Sequence, residues 1–532
     1  MRTRETRFGL ISTEMVSPTP TQESAPDPPR GFRGAFRSDG ATRERFSGAS
    51  GPFRLAPLAV ATPADDEDVA TLLRWATERG IPLIPRGAGT GMPGGNVGPG
   101  VVVDLTGRAH IALHEDRPGL LSAGPGATGA RLDGESRHAG FFFPALPSSA
   151  DRCTAGGMVA NNAAGTRTFR FGSTRAWVEA LEVVLADDGP VTLRRGGPAP
   201  PVFGRLHREL TAALGTSAPP SWPRVRKNSS GYALDRFLPS GDAVDLLVGS
   251  EGTLGLVTGV TLRTAPLPPA RAVALLPLPT LDALPRAVET AGAVDAWACE
   301  FFARRFLEVA DLRQDDEVGP LVGEAPALVL VELAGDAGSV DHGVAALASL
   351  ARELQVRFRS SRDDEEMARL WSIRHAASPV IQARASEGLV SMQFIEDSVV
   401  RADRVPDYLR GLEEILEGEE TDAVMFGHAG DGNVHVNPLV DVRRFDWRDR
   451  VERILHATVE LVAGLGGTLS GEHGDGRLRA PFHARIWGET LAAAFGRVKS
   501  TLDPAGILNP GVVVPLPGQD PLAGLTPEPR GR

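Results

Sequence analysis

The 532-residue sequence predicts an α+β protein built of two units. Three features predict it. Short apolar runs alternate with amphipathic helical stretches along most of the chain, which is how strands and helices share one core. Glycine-rich segments gather in the first half, and a histidine-bearing hairpin lies in the second. With 42% hydrophobic and 23% charged residues the composition is that of a globular protein, and 61 glycines and 43 prolines make it turn-rich. The net charge of −11 gives no basic field for a phosphate backbone, so nucleic acid is not an expected partner. Two cysteines, Cys153 and Cys299, cannot build a disulfide scaffold, an iron–sulfur cluster or a cysteine zinc finger. No apolar run nears the roughly 20 residues that span a bilayer. The expected location is therefore the cytoplasm, free or peripheral at the inner face of the membrane.

Residues 1–44 carry arginines and a Ser/Thr/Pro-rich stretch and read as a flexible tail. LAVAT, from Leu58, reads as a strand. A helix follows, starting near Asp65 and ended by Gly80, with apolar Val69, Leu72, Leu73 and Ala76 on one face. IPLIP and VVVDL are strands on either side of the loop RGAGTGMPGGN, and residues 180–185 and 245–248 are expected as buried strands. These make a first unit over 45–264. APLPPARAVALLPLP, from Ala265, is punctuated by prolines in a way that helices and central strands avoid, so the boundary falls there. A second unit over 265–469 alternates helices such as SVDHGVAALASLARELQ with strands such as ALVLVEL. Residues 470–514 form a C-terminal segment that completes the site, and 515–532 a frayed tail.

GTGMPG, Gly89 to Gly94, matches a dinucleotide fingerprint literally, yet no helix follows it as that fingerprint requires. Either its backbone N–H groups wrap an anion as a nest or it is a tight crossover. PSSADRCTAGGMVANNAAG (147–165) and LLVGSEGTLGLVTGVTLRT (246–264) offer the same small residues, and three such segments suggest one extended ligand. Only two lysines, Lys227 and Lys499, survive among 56 basic residues, by chance or because those sites need an ammonium. A P-loop is excluded by the missing G-x-x-x-x-G-K-[ST] pattern.

In VMFGHAGDGNVHVNP, a two-residue Asp431-Gly432 turn would pair His428 directly with His435, bringing two imidazoles to one ion, with Asn437 on the same face. A histidine stack satisfied within a core is the alternative. SGEHGDG adds a carboxylate, so His428, His435 and Glu472 are the expected metal ligands, with His473 as a free base. Arg374, in the helical WSIR stretch, can clamp a carboxylate.

These motifs, in this order, resemble FAD-linked D-2-hydroxyacid dehydrogenases of the vanillyl-alcohol-oxidase type, the D-lactate, D-2-hydroxyglutarate and glycolate group. The resemblance spans roughly 47–514. It implies a two-part FAD-binding domain and an α+β substrate domain with an antiparallel sheet. It further implies FAD surrounded by Arg86, Gly87, Ala88, Gly89, Thr90, Gly91, Met92, Pro147, Ser148, Ser149, Thr154, Gly156, Gly157, Asn161, Gly165, Glu251, Gly252, Thr253, Val257 and Asn509. It implies as well a divalent metal, zinc with manganese or iron as alternatives, on His428, His435 and Glu472, with His473, Arg374 and Asn437 catalytic. The first loop lacks the histidine that tethers flavin in some members, so FAD is expected to be non-covalent. No lysine lies near Ile395, where some hydroxyglutarate enzymes carry one. The implied reaction is oxidation of a D-2-hydroxy acid, D-lactate first, with electrons passed to a quinone, a cytochrome, an electron-transfer flavoprotein or an iron–sulfur subunit. The alternatives are a flavin-binding subunit that needs an iron–sulfur partner, a non-catalytic paralogue and a metal hydrolase; a homodimer stays open.

Overall fold

Helix Asp66–Arg79 shows how local sequence sets the first sheet: the Asp65 side chain accepts from the N–H of Asp68, and Gly80 closes the helix in the left-handed region. The structure, a computed structural model, describes residues 26–217, 219, 221–383 and 388–527. Strands β1 (Ala35–Arg37), β2 (Ala59–Thr62), β3 (Leu83–Arg86) and β4 (Val101–Asp104) form a sheet in the order β1-β2-β4-β3. β4 runs parallel to both β2 and β3. Parallel neighbours need a long crossover, usually helical. Between β3 and β4 that crossover is the helix-free glycine loop 87–100, so it is a connection by topology whatever else it does.

A second sheet follows the order β5-β6-β10-β8-β9, all antiparallel, from β5 (Ile111–Leu113), β6 (Leu120–Ala123), β8 (Val178–Leu185), β9 (Gly189–Arg194) and β10 (Leu256–Arg263). The two-residue β7 (Phe141–Phe142) pairs with β11 (Ala265–Pro266). The third sheet, also antiparallel, contains β12 (Ala270–Leu278), β13 (Ala298–Ala303), β14 (Ala327–Gly335), β15 (Arg359–Ser361), β16 (Leu389–Ser391), β17 (Ser398–Val399), β18 (Asp422–His428) and β19 (Asn433–Asp441). Its order is β15-β12-β14-β13-β18-β19-β16, with β17 on β19. The fold is thus α+β with an antiparallel second sheet system, as the sequence predicts.

Two contacts join the halves. Arg167 makes a two-pronged bond to the fully buried Glu332, and its guanidinium lies over Phe142 and Trp297, which stack at 5.2 Å. The C-terminal chain returns to the first half: Trp487, Phe495, Val498, Leu502 and Val512 sit in one core with Leu181, Phe203, Tyr232 and Leu246. Lys499 donates to the carbonyl of Thr253, and Asn509 Nδ2 to those of Gly95 and Glu251.

Five expectations give way. The tail expected over 1–44 is ordered from β1 onward, where β1 pairs with β2 and the side chain of Asp39 caps helix Gly40–Ser47; residues 1–25 lie outside the described ones. Residues 245–247 belong to helix Ala243–Leu247, which Asp242 caps and Val248 ends, because a short apolar run fits either state. The proline-rich stretch contains β12, an interior strand whose Pro277 pairs with Leu328. The C-terminal tail is held as far as Thr526, with Leu522 and Leu525 buried and Phe53 bridging to Leu525; residues 528–532 lie outside the described ones.

The hairpin, finally, turns through the helical residues Ala429–Asp431 and a left-handed Gly432. Its pairs are His428 with Asn433 and Phe426 with His435. The register thus slips by two from a direct histidine pair, and a slip of two keeps every side chain on its face. The slip leaves Asp431 buried with neither carboxylate oxygen hydrogen-bonded and the nearest Arg226 nitrogen 3.8 Å away, so burial pushes its pKa up to about 6. A raised carboxyl favours folding below its unfolded pKa of about 3.9, and that contribution disappears as pH climbs through 6. Asp431→Asn should therefore raise stability by about 1–3 kcal/mol at pH 7.5 and leave it unchanged at pH 4, read by urea unfolding at both pH values.

Candidate active site

A cavity of about 340 Å³ runs between the glycine loops and the face of the third sheet. Backbone forms one end. Residues 86–92, Pro147, Ser148, Ser149, Thr154, Gly156, Gly157, Asn161, Glu251, Gly252 and Val257 all line it. The loops touch so closely that a Cβ on Gly87 would stand 2.3 Å from Thr154 Oγ1, hence glycine there. The backbone N–H groups of residues 88–92 donate to no partner among the described residues. Asn96 Oδ1 and Gln393 Oε1, on the cavity wall, are buried acceptors without a partner. Free donors along a glycine-lined trough and unmet acceptors at its wall suit a long ligand that carries phosphates and polar ring edges.

The expected residues Gly165, Thr253, Asn509 and His428 do not line the cavity. Gly165 packs under Leu146, where a Cβ would meet its carbonyl at 2.0 Å. Thr253 is fully buried against Tyr232 Oη, and Asn509 ties the loops at Gly95 and Glu251 from behind. Asn161 lines the cavity, yet its side-chain amide donates to the carbonyl of His473, so it also anchors the loop that carries Glu472 and His473.

Side chains form the other end. Arg374, Gln393, Phe426, His435, Asn437, Glu472 and His473 converge there, with His428 directly behind. His428 Nε2 lies 3.2 Å from His435 Nε2 and 3.4 Å from Glu472 Oε1, and His435 Nε2 lies 3.3 Å from that oxygen. A tetrahedral ion with bonds of about 2.0–2.2 Å spaces its ligands about 3.3–3.6 Å apart. The far nitrogens fix the tautomers: His428 Nδ1 donates to Glu300 Oε1 at 2.6 Å and His435 Nδ1 to the carbonyl of Glu396 at 3.0 Å. Two lone pairs and a carboxylate oxygen therefore face one point, which is the donor set of a catalytic divalent metal. Asp397 and His473 also fall within 4.8 Å of His435 and Glu472. Asp397, however, already accepts from Asn433, Ser470 and the N–H groups of Glu472 and His473.

Electrostatics bears on each group. Burial raises Glu472, but Lys227, 2.6 Å from Oε2, and His428 hold it well below the usual carboxylate range. Burial lowers His435. His428, which burial alone would lower, is raised on balance by Glu300. Burial likewise opposes a charged His473, yet Asp397, the bond to Glu396 and the charge of Glu472 lift it to about 9. His473 Nδ1 donates to Glu396, itself paired with Arg479, and Nε2 lies on the cavity side, 3.6 Å from Glu472 Oε1. Gln393 Nε2 donates to Asn437 Oδ1, and Arg374 Nε to Glu300 Oε2.

The structure brings together every expected side chain of the metal and catalytic sets. Lys227 stands out in the sequence as a surviving lysine, without its partner; Glu300, Glu396, Asp397 and Arg479 give no signal, since they lie in strand, loop and short-helix sequences of ordinary look. Fold and cavity together define a cofactor-dependent oxidoreductase with a metal-ready carboxylate pocket. Residues 57–193 match the FAD binding domain family, and residues 267–513 match the family described as FAD linked oxidases, C-terminal domain. The chain is 30% identical over 458 residues to D-lactate dehydrogenase of Archaeoglobus fulgidus, covering 86% of this chain and 91% of that protein. It is 28% identical over 468 residues to glycolate oxidase subunit GlcD of Bacillus subtilis (87% and 90%) and 30% identical over 471 residues to D-2-hydroxyglutarate dehydrogenase of Xanthomonas citri (86% and 89%). Among solved structures, p-cresol methylhydroxylase shares the fold at a TM-score of 0.67 with 14% identity, over 91% of this chain and 95% of that one. The 4-ethylphenol oxidase of Gulosibacter chungangensis shares it at 0.63 with 18% identity, over 93% and 94%. The chain belongs to the FAD-linked D-2-hydroxyacid dehydrogenases, within the vanillyl-alcohol-oxidase-type flavoproteins. No helix of the described residues is long and apolar enough to cross a membrane.

Removing the ammonium that faces Glu472 strands a buried charge. Lys227→Met should lower stability by about 3–5 kcal/mol, measured by urea unfolding of the metal-free protein, with a smaller loss once divalent metal is added.

Proposed function

We propose that the protein oxidises a D-2-hydroxy acid, D-lactate in the first instance, to the 2-oxo acid and passes the electrons to an acceptor other than NAD. The observation that carries this reading is the convergence of Arg374, the His428–His435–Glu472 triangle and His473 at one end of a cavity whose other end is glycine loop. When bound, non-covalent FAD supplies the hydride acceptor and the divalent metal supplies Lewis acidity toward the hydroxyl and carboxylate.

The chain's own groups do the rest. Arg374 meets the substrate carboxylate and fixes its orientation. With its ring neutral, a state that the raised pKa of about 9 places at alkaline pH until a bound cation lowers it, His473 Nε2 takes the hydroxyl proton, while the bond from its Nδ1 to Glu396 holds the ring and stabilises the charge it gains. Asn437, its Oδ1 occupied by Gln393, presents its amide N–H₂ to the pocket. Phe426 walls the same end and limits water beside the reacting carbon. The acid–base chemistry therefore belongs to His473, not to the ligand histidines.

A second reading, in which the chain is the flavin subunit of a complex that delivers electrons to an iron–sulfur partner, is supported by the likeness to a protein named as a glycolate oxidase subunit. Anaerobic addition of D-lactate, L-lactate, glycolate and D-2-hydroxyglutarate to the isolated yellow protein separates the two. Rapid bleaching by D-lactate supports the first; a bleached flavin that re-oxidises only with added partner supports the second. His473→Ala should slow bleaching about 10²–10⁴-fold with FAD retained, and undiminished bleaching rejects the assigned base.

A further inference from the structure

We propose that Glu300 is a positioning residue that ties the substrate-binding arginine to the metal site, an inference that rests on the function proposed above. Its carboxylate is fully buried on β13, in the middle of the third sheet. The β13–β18 register sets Phe301 opposite Gly427, so Glu300 falls opposite His428. Each oxygen has one charged or polarised partner: Oε1 receives His428 Nδ1 at 2.6 Å and Oε2 receives Arg374 Nε at 2.8 Å. One side chain thereby fixes two groups that come from different elements, His428 at the end of β18 and Arg374 on helix Asp364–Ala383.

A buried carboxylate in a strand is costly unless its partners compensate it; here Arg374 lines the pocket and His428 stands directly behind it, against His435. Toward His428, Glu300 holds Nδ1 protonated, aims Nε2 at the ligand point and makes it a stronger donor. Toward Arg374, it uses Nε and sets the plane of the guanidinium over Phe426, whose ring centre lies 5.5 Å away. A metal on His428 and a carboxylate on Arg374 therefore pull on the two ends of one anion. The geometry makes metal affinity and substrate affinity properties of one residue that touches neither ligand.

Glu300→Gln keeps the shape and removes the charge. With FAD bound and no hydroxy acid present, Zn²⁺ titrated against a chromophoric chelator should bind the variant about 10–100-fold more weakly than the wild type. At saturating Zn²⁺, KM for the acid that bleaches wild-type flavin fastest should rise about tenfold with kcat changed far less, as expected when an arginine clamp is loosened without touching the base. Zn²⁺ affinity within threefold of wild type together with an unchanged KM overturns the proposal. Should Glu300→Gln fail to retain FAD, Glu300→Asp keeps the charge one methylene short of spanning both partners. It should show at least a threefold loss in Zn²⁺ affinity or KM with a normal flavin spectrum, and wild-type values for both overturn the proposal. A wild-type protein that binds neither Zn²⁺ nor Mn²⁺ defeats the functional reading itself, independently of Glu300.

Discussion

Three electron-rich atoms, two imidazole nitrogens and one carboxylate oxygen, stand 3.2–3.4 Å apart on buried side chains. Such a cluster repels itself unless a positive charge sits at its centre. Much of the surrounding structure is the means of holding those atoms in place. Lys227 neutralises the far oxygen of Glu472, and Glu300 and the Glu396 carbonyl turn the two rings. Asp397 pins the backbone on which Glu472 and His473 follow one another. Consecutive residues can both face the pocket because that backbone is loop, not strand.

The parts of the site readable in the sequence are those whose chemistry is local. His428, His435, Glu472 and His473 stand in glycine-rich contexts that a packed core does not need, and Arg374 stands on a recognisable helix. The hairpin was misregistered because Asp-Gly is the strongest signal for a two-residue turn, whereas this turn uses four residues; the even slip preserved the conclusion. Glu300 and Glu396 lie in ACEFFA and QFIEDS, and nothing there distinguishes a ligand-orienting acid from an edge residue. Their partners are up to 128 residues away, and pairing across that distance is set by sheet order, which periodicity does not encode. Helix Ala243–Leu247 and strand β12 were misread for a related reason: in a buried setting, packing overrides both short-run ambiguity and the reluctance of proline.

The cavity lies at the seam between the halves, lined from both, so the seam's rigidity sets how its two ends stand to one another. Arg167 crosses the seam to a glutamate with no exposure, its guanidinium beside the stacked rings of Phe142 and Trp297, one from each half. Ion pairs of this kind add little net stability, yet they penalise every arrangement in which the charges part. That one-sided penalty suits a cavity whose two ends must stay in fixed register.

The return of the C-terminal helices into the first half has a consequence in time. Emerging from the ribosome, the amino-terminal half lacks Trp487, Phe495, Leu502 and Val512, which belong to its own interior. Its strands can pair, but their inward face stays open to solvent until the segment that carries those residues has emerged. The nascent protein therefore passes through a stage with a greasy surface exposed, and the helices that carry Trp487 to Leu502 act as the stopper that ends it.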